Sequence, residues 1–327
     1  MREPTYRDAL SHGWHLLIHH KILWIFGLFS ALLGQMGVLE IVSQVVVTVK
    51  YDTYYPVVTH FPLLAQALAE GLGKWNLSVD HKVWLLWLGC ILLGFALLFV
   101  FVAIVTHGAL IHYVAQYIRG KEKLKSHEGW HAGVYHFWRL LGLQIVKKIV
   151  IALLVLFVGG TTYYSIVNPS TFQTVLFALS VVLSLIVGSV VSLLVTYASG
   201  YVMVENMHLK NALSFGFNLL KAHKIVSVEV AILMLGVNVI VALVVLLLAM
   251  LFKLQIAFVA MLALATNSLA LWSIGNTFSA LMFTISVVAL ASFITVYSTS
   301  TWMYLFMKMH HHGIVPRIKL LFGKGKN

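Results

Sequence analysis

Two long stretches without a formal charge constrain this chain more than any other feature. Between Lys148 and Glu205 lie 56 residues with no Asp, Glu, Lys or Arg, and between Lys253 and Lys308 lie 54. A membrane-spanning helix needs about 20 predominantly apolar residues, so each stretch is long enough for two passes. A buried soluble core accounts for one such run, but hardly for two. Composition agrees: 61% of the residues are hydrophobic and 10% are charged, where a soluble domain carries roughly 25% charged residues. The expectation is an all-α fold, a polytopic bundle of transmembrane helices whose main solvent is the lipid bilayer.

The net charge of +12 does not point to nucleic acid, because the basic residues are not gathered into one domain or arm. They sit at the ends of the apolar runs, as Lys and Arg do in cytoplasmic loops that meet anionic headgroups at the inner face. Six spans place 18 of the 22 Lys and Arg inside: three in the N-terminal segment, seven from Arg119 to Lys148, three from Lys210 to Lys224 and five from Lys308 onward. Only Lys50, Lys74, Lys82 and Lys253 fall outside. Both termini are then cytoplasmic, in a cell (plasma or inner) membrane. Residues 256–272 are apolar for 17 positions, up to Ser273-Ile274-Gly275-Asn276. They are expected as an outer interfacial or re-entrant helix; a seventh span there would carry Arg317, Lys319, Lys324 and Lys326 outside.

The first apolar run covers 22–39 and extends in one reading through Glu40 to Val49; residues 50–82 are mixed and turn-rich. The second run, Val83 to Ile118, has no formal charge but includes His107 and His112. Asn168-Pro169-Ser170 divides the third span from the fourth, with Asn or Ser suited to cap a helix start and Pro tolerated in its first turn. The fifth run ends near Phe252 and the last fills most of 278–307. No short apolar region near the start ends in a small-residue cleavage site, so the first span is expected to serve as its own insertion signal. The single cysteine, Cys90, lies in an apolar run and excludes an intrachain disulfide and a cysteine-based zinc site.

An internal repeat organises these runs. Residues 9–22 (ALSHGWHLLIHHKI) align without gaps on residues 212–225 (ALSFGFNLLKAHKI), with nine of 14 positions identical. Glu128–Leu141 is a diverged further copy, in which Gly129-Trp130-His131 echoes Gly13-Trp14-His15. Each copy directly precedes a span, so the expected unit is an amphipathic helix followed by a helical hairpin, three times over. The units fall at about 5–118, 126–204 and 206–309, within one integral membrane domain of residues 1–327 that ends in a basic tail, 310–327. At 100° per residue, Asp8, His12, His15 and His19 form a polar stripe, with Tyr6, Leu10, Gly13, Trp14 and Leu17 opposite. The helix is expected in the inner interface with that stripe wet. Asn211, Ser214, Asn218 and Lys221 form the matching stripe in the last copy.

Few positions carry chemistry. Asp8, His12, His15 and His19 match zinc-ligand types, but four ligands on one straight helix cannot converge on one ion. A solvated, mildly basic face is the simpler account, and no metal or cofactor is expected. His310-His311-His312 is a basic patch near headgroups. Glu229, Lys147 and Lys148, with His107 and His112, are candidates for an intramembrane relay, since buried charge is costly. The plainer alternative has the lysines snorkelling, Glu229 pairing with one of them, and the histidines anchoring at the interface. Gln35 and Glu40 in the first span resemble them but fall nearer the outer side, and Asn76-Leu77-Ser78 fits a glycosylation sequon. Ser180, Ser184, Gly188, Ser192, Thr196 and Gly200 place a small residue at every fourth position, a helix-packing ridge or, alternatively, a hydroxyl-lined path. There is no phosphate-binding Gly-rich loop, no His-Glu-x-x-His and no Gly-x-Ser-x-Gly elbow, which lowers the expectation of an enzyme.

With the repeat, the segments Tyr6–Trp14 and Lys21–Phe29 resemble bacterial six-span membrane proteins of undetermined activity, related to the membrane domain of some glycerophosphodiester phosphodiesterases. The resemblance implies fold and location over most of the chain and transfers no activity, because the soluble catalytic barrel of those enzymes has no counterpart here. The sequence thus favours a non-enzymatic membrane scaffold or envelope-associated factor, alone or with a membrane-protein partner. The alternative is a small-solute or lipid transporter with an intramembrane charge relay.

Overall fold

The computed structural model describes residues 6–31, 79–121 and 126–311. Gln35, Glu40, the Asn76-Leu77-Ser78 sequon, His312 and the basic tail lie outside them. Every regular element among the described residues is an α-helix: α1 (Tyr6–His19), α2 (Ile22–Ala31), α3 (Val79–Ile118), α4 (Ser126–Tyr135), α5 (Phe137–Val167), α6 (Thr171–Val204), α7 (Leu209–Ala222), α8 (Lys224–Ala265) and α9 (Leu269–His311). Five of these, α3, α5, α6, α8 and α9, are long and apolar enough to cross a bilayer. The chain is therefore a multi-pass helical membrane protein. The first expected span is described only over α2, whose 10 residues lead into residues outside the described set.

The chain divides into two compact units. Unit 1 comprises Met1–Leu32, Thr106–Gly133 and Asn218–Asn327; unit 2 comprises Leu33–Val105 and Val134–Phe217. In unit 1, α1 and α2 lie along α9. Gly27 makes this approach possible: a Cβ there would stand 2.5 Å from Val296 Cγ2 and 2.8 Å from the Ser292 carbonyl. The Ser292 hydroxyl donates to the Trp24 carbonyl at 2.5 Å, and Trp24 Nε1 donates back to Leu17 O at 2.8 Å, tying α1, α2 and α9 together. In unit 2, α5 and α6 form an antiparallel hairpin. Ser170 caps α6 by accepting from Gln173 N, while Pro169 stands just ahead of the cap.

The α8–α9 turn corrects one expectation. Residues 256–272 form no separate outer helix: α8 runs unbroken to Ala265 and α9 begins at Leu269. The break is Thr266-Asn267-Ser268 rather than the Gly275 region, for a local reason. Asn267 adopts the left-handed conformation (φ 49°), and its N–H and that of Ser268 close onto Leu264 O and Ala263 O. Those bonds satisfy two of the last free carbonyls of α8. Ser268 Oγ then accepts from Leu271 N and starts α9. Gly275 instead stays helical and lets α9 pass close to Val259 of α8. Both helices are long, with 42 and 43 residues. Even at a tilt of about 40°, a ~30 Å hydrocarbon core takes up only about 26 helical residues.

Candidate functional site

Each of the three short helices α1, α4 and α7 carries a glycine seated on the final turns of a long helix. A Cβ on Gly13 would meet Thr301 Oγ1 at 2.6 Å and Tyr297 O at 3.3 Å, on α9. On Gly129 it would meet Ala109 O at 3.2 Å, on α3, and on Gly216 Ala198 N and Leu194 O at 3.2 and 3.3 Å, on α6. These are the positions that the sequence alignment superposes. In all three, backbone of the neighbouring helix near its C-terminal end lies 3.2–3.3 Å from that Cβ position, so each glycine brings two backbones close. The residue just before each glycine meets the same neighbouring helix three positions further on. His12 packs on Tyr304 at 4.8 Å between ring centroids, Phe215 packs on Tyr201 at 5.9 Å, and Glu128 interacts electrostatically with His112.

The richest polar cluster lies in unit 1, where α1 meets the ends of α3 and α9. His12 was expected in a wet stripe with Asp8, His15 and His19. Its imidazole is instead half-buried between Tyr117 (5.4 Å) and Tyr304 (4.8 Å), because Ala9, Gly13 and Leu16 turn that flank of α1 toward the helix ends. Asp8, His15 and His19 stay exposed. On the apolar side Leu17 is buried, whereas Trp14 is exposed and edges Phe293 at 5.7 Å. Tyr117 also contacts His20 at 5.1 Å, His20 Nδ1 shares a 3.1 Å hydrogen bond with Tyr113 Oη, and the Lys308 ammonium stands 5.7 Å over the Tyr304 ring. Burial, followed by His15 and the Lys308 charge, holds the His12 imidazole below its ordinary value. Burial, followed by His19 and His15, does the same for His20. His12 Nε2 and Gln116 Oε1 are buried without a hydrogen-bond partner among the described residues. Chemically, the cluster is a clamp of neutral imidazoles and phenols joining three helices.

The other expected residues are distributed as follows. His107 is buried on α3, its Nδ1 3.2 Å from the buried Ser30 hydroxyl of α2. His112 is half-buried, 3.5 Å from Gln116 Nε2. Glu229 is half-buried on α8, with Oε2 enclosed and unbonded among the described residues. These three belong to unit 1. Lys147, only 2% exposed, and Lys148, exposed, stand side by side on α5 in unit 2. Along α6, Ser180, Ser184, Gly188 and Gly200 are buried and Ser192 and Thr196 half-buried. Ser180 Oγ hydrogen-bonds Thr161 Oγ1 of α5 at 2.8 Å. Ser180, Ser189, Thr196 and Ser199 each also donate to a carbonyl of their own helix one turn back. Among the described residues no group of three His, Cys, Asp or Glu forms a metal-holding set.

Several participants escape a reading of the sequence by periodicity. Histidine stands at the break after each of α1, α4 and α7, as His20, His136 and His223, seven positions after Gly13, Gly129 and Gly216 in each case. Arg139 donates to Asn206 O (2.9 Å) and Oδ1 (2.6 Å), neutralising the C-terminal end of α6 within unit 2. Its place in a basic segment hid that specific role. Each of the two hairpin turns among the described residues also carries a groove. One, of about 440 Å³, is lined by Leu156, Phe157, Gly160, Tyr164, Gln173 and Leu176. The other, of about 340 Å³, is lined by Ala263, Leu264, Asn267, Ser268 and Trp272.

Comparison with protein-family models, curated proteins and solved structures gives no match to this chain.

Proposed function

We propose that the chain is a non-enzymatic membrane scaffold. In this reading it has six spans in three repeats, both termini are cytoplasmic, and the short helices lie among anionic headgroups at the inner face. The observation that carries it is the α8–α9 hairpin of unit 1, with helices of 42 and 43 residues. It exceeds what a tilted bilayer crossing consumes and stays apolar to its turn, where Phe258, Met261, Leu264 and Ile274 are all exposed. Exposed apolar surface beyond the hydrocarbon core marks a contact for another protein. The glycine-seated short helices support the same reading, since they give the hairpins a rigid base. So do four hydroxyls of α6, those of Ser180, Ser189, Thr196 and Ser199, which bond within their own helix or to α5. The likeness to the membrane domain of phosphodiesterases is taken as kinship of fold alone.

A photo-crosslinking residue at position 261, in intact cells, tests this. Crosslinks to one discrete protein are expected, and to lipid alone would defeat the scaffold. The transporter reading is favoured by one observation, the enclosed and unbonded Glu229 Oε2. Proteoliposomes of the chain are expected to show no solute efflux or lipid scrambling above protein-free vesicles. A flux that Glu229→Gln abolishes at unchanged abundance would establish transport instead.

A further inference from the structure

The short helices carry a feature that a scaffold does not require. On α1, His15 and His19 are both exposed and their rings are stacked, with centroids 3.9 Å apart and planes 29° from parallel. On α4, His127 and His131 are likewise exposed and lie 4.1 Å apart at 37°. Each pair is spaced one helical turn, the i, i+4 arrangement in which two imidazoles on one helix face bind a zinc-type ion. Two nitrogens bound to one tetrahedral ion at about 2.05 Å lie roughly 3.3 Å apart, a separation that rings already 3.9 and 4.1 Å apart reach with small rotations.

A hydrogen bond prepares one of the ligands. His19 Nδ1 lies 3.0 Å from His15 O. A carbonyl only accepts, so Nδ1 carries the proton and Nε2 presents its lone pair outward. Ligating histidines are commonly oriented in this way, by donating the other ring nitrogen to a backbone carbonyl. The aligned helix α7 has Ser214, Asn218 and Ala222 at the corresponding places and serves as an internal blank. His12, held between Tyr117 and Tyr304, is not part of either pair.

We propose that His15–His19 and His127–His131 are two bidentate sites for a first-row divalent cation of the zinc, copper or nickel class, completed by water. Imidazole donors suit these ions, with copper bound tightest. The proposal is independent of the scaffold reading, since it rests on exposed faces and not on the hairpin.

The test uses the full chain in detergent, purified without a histidine tag and carrying His310→Ala, His311→Ala and His312→Ala so that the tail contributes nothing. Calorimetric titration with Zn2+ is expected to show two saturable sites per chain. His19→Ala is expected to weaken one at least about tenfold and His127→Ala the other, as a chelate falls to a single imidazole. All four positions are exposed, and an unchanged gel-filtration profile checks the fold of each variant. A variant retaining a single pair, loaded with Cu2+, should give an electron paramagnetic resonance pattern of two equivalent nitrogens. Zn2+ uptake unaffected by either substitution, no saturable uptake at all, or a one-nitrogen pattern would each overturn the assignment.

Discussion

The two halves of α3 have similar hydropathy and opposite surroundings. In the first half Leu92 is 61% exposed, with Phe95, Leu97 and Leu98 exposed beside it. In the second, Ile104, Val105, Leu110 and Val114 are fully enclosed, together with His107 and Thr106. The final turns of α6 and α9 repeat the pattern, with Tyr197, Ala198 and Val202 buried on one and Leu305 and Phe306 on the other. Lipid solvates an apolar helix as well as a protein interior does. Enclosure is therefore a matter of shape and small residues and not of hydropathy, and the protein concentrates its packing where the short helices sit.

That contrast makes its largest prediction within one helix. Leu110→Ala should cost about 3 kcal/mol, because the cavity it leaves has no lipid to fill it. Leu92→Ala should stay within about 0.5 kcal/mol. Reversible unfolding in detergent measures both, and equal costs would mean the two halves are not differently packed. A step smaller, Gly27→Ala places a methyl group against Val296 and the Ser292 carbonyl and should cost about 2 kcal/mol by overpacking. Gly94→Ala meets open space and should be neutral or slightly stabilising, since alanine is the better helix former. The same unfolding experiment reads that pair.

The smallest effect is on pH. His12 and His20 have folded values below their ordinary one, so below the unfolded value the unfolded chain binds more protons. Their stabilisation is complete above about pH 6.5 and falls away as the pH drops from there toward the lowered folded values. The groups facing His12 are Tyr117, Tyr304, His15 and Lys308; those facing His20 are Tyr113, Tyr117, His19 and His15. His12→Phe keeps the ring contacts and should flatten the acid side of a stability profile measured from about pH 7 to about pH 5. A slope unchanged in that variant would place the titration elsewhere.

Much of the secondary structure was legible in the chain. The alignment of residues 9–22 on 212–225 implies equivalent helices, and α1 and α7 are each 14 residues long and end before the matched His-Lys. Ser170 caps α6, as the Asn-Pro-Ser turn signal implies. The turn at Thr266-Asn267-Ser268 was missed because Gly275 is the louder breaker, and a glycine's close-approach role shows only once its neighbour is known. The site was less legible. His12 sits at the same angle on α1 as its wet neighbours, and nothing in the periodicity says that Tyr117, 105 positions away, and Tyr304 will close over it.

The sequence alone determined the solvent, the helical class and the places where polar and basic segments interrupt the apolar runs. These follow from the cost of burying charge and unpaired backbone in hydrocarbon, which acts on every residue wherever it packs. Only the tertiary structure decided which half of a span is enclosed, which histidines stack and which are clamped, and where the last hairpin turns. Enclosure and the clamping of His12 depend on backbones approaching within van der Waals contact at glycines such as Gly13, Gly27, Gly129 and Gly216, a property of pairs of helices that neither helix carries by itself. The stack and the turn depend on rotamers and on the Asn267 backbone, which hydropathy does not report.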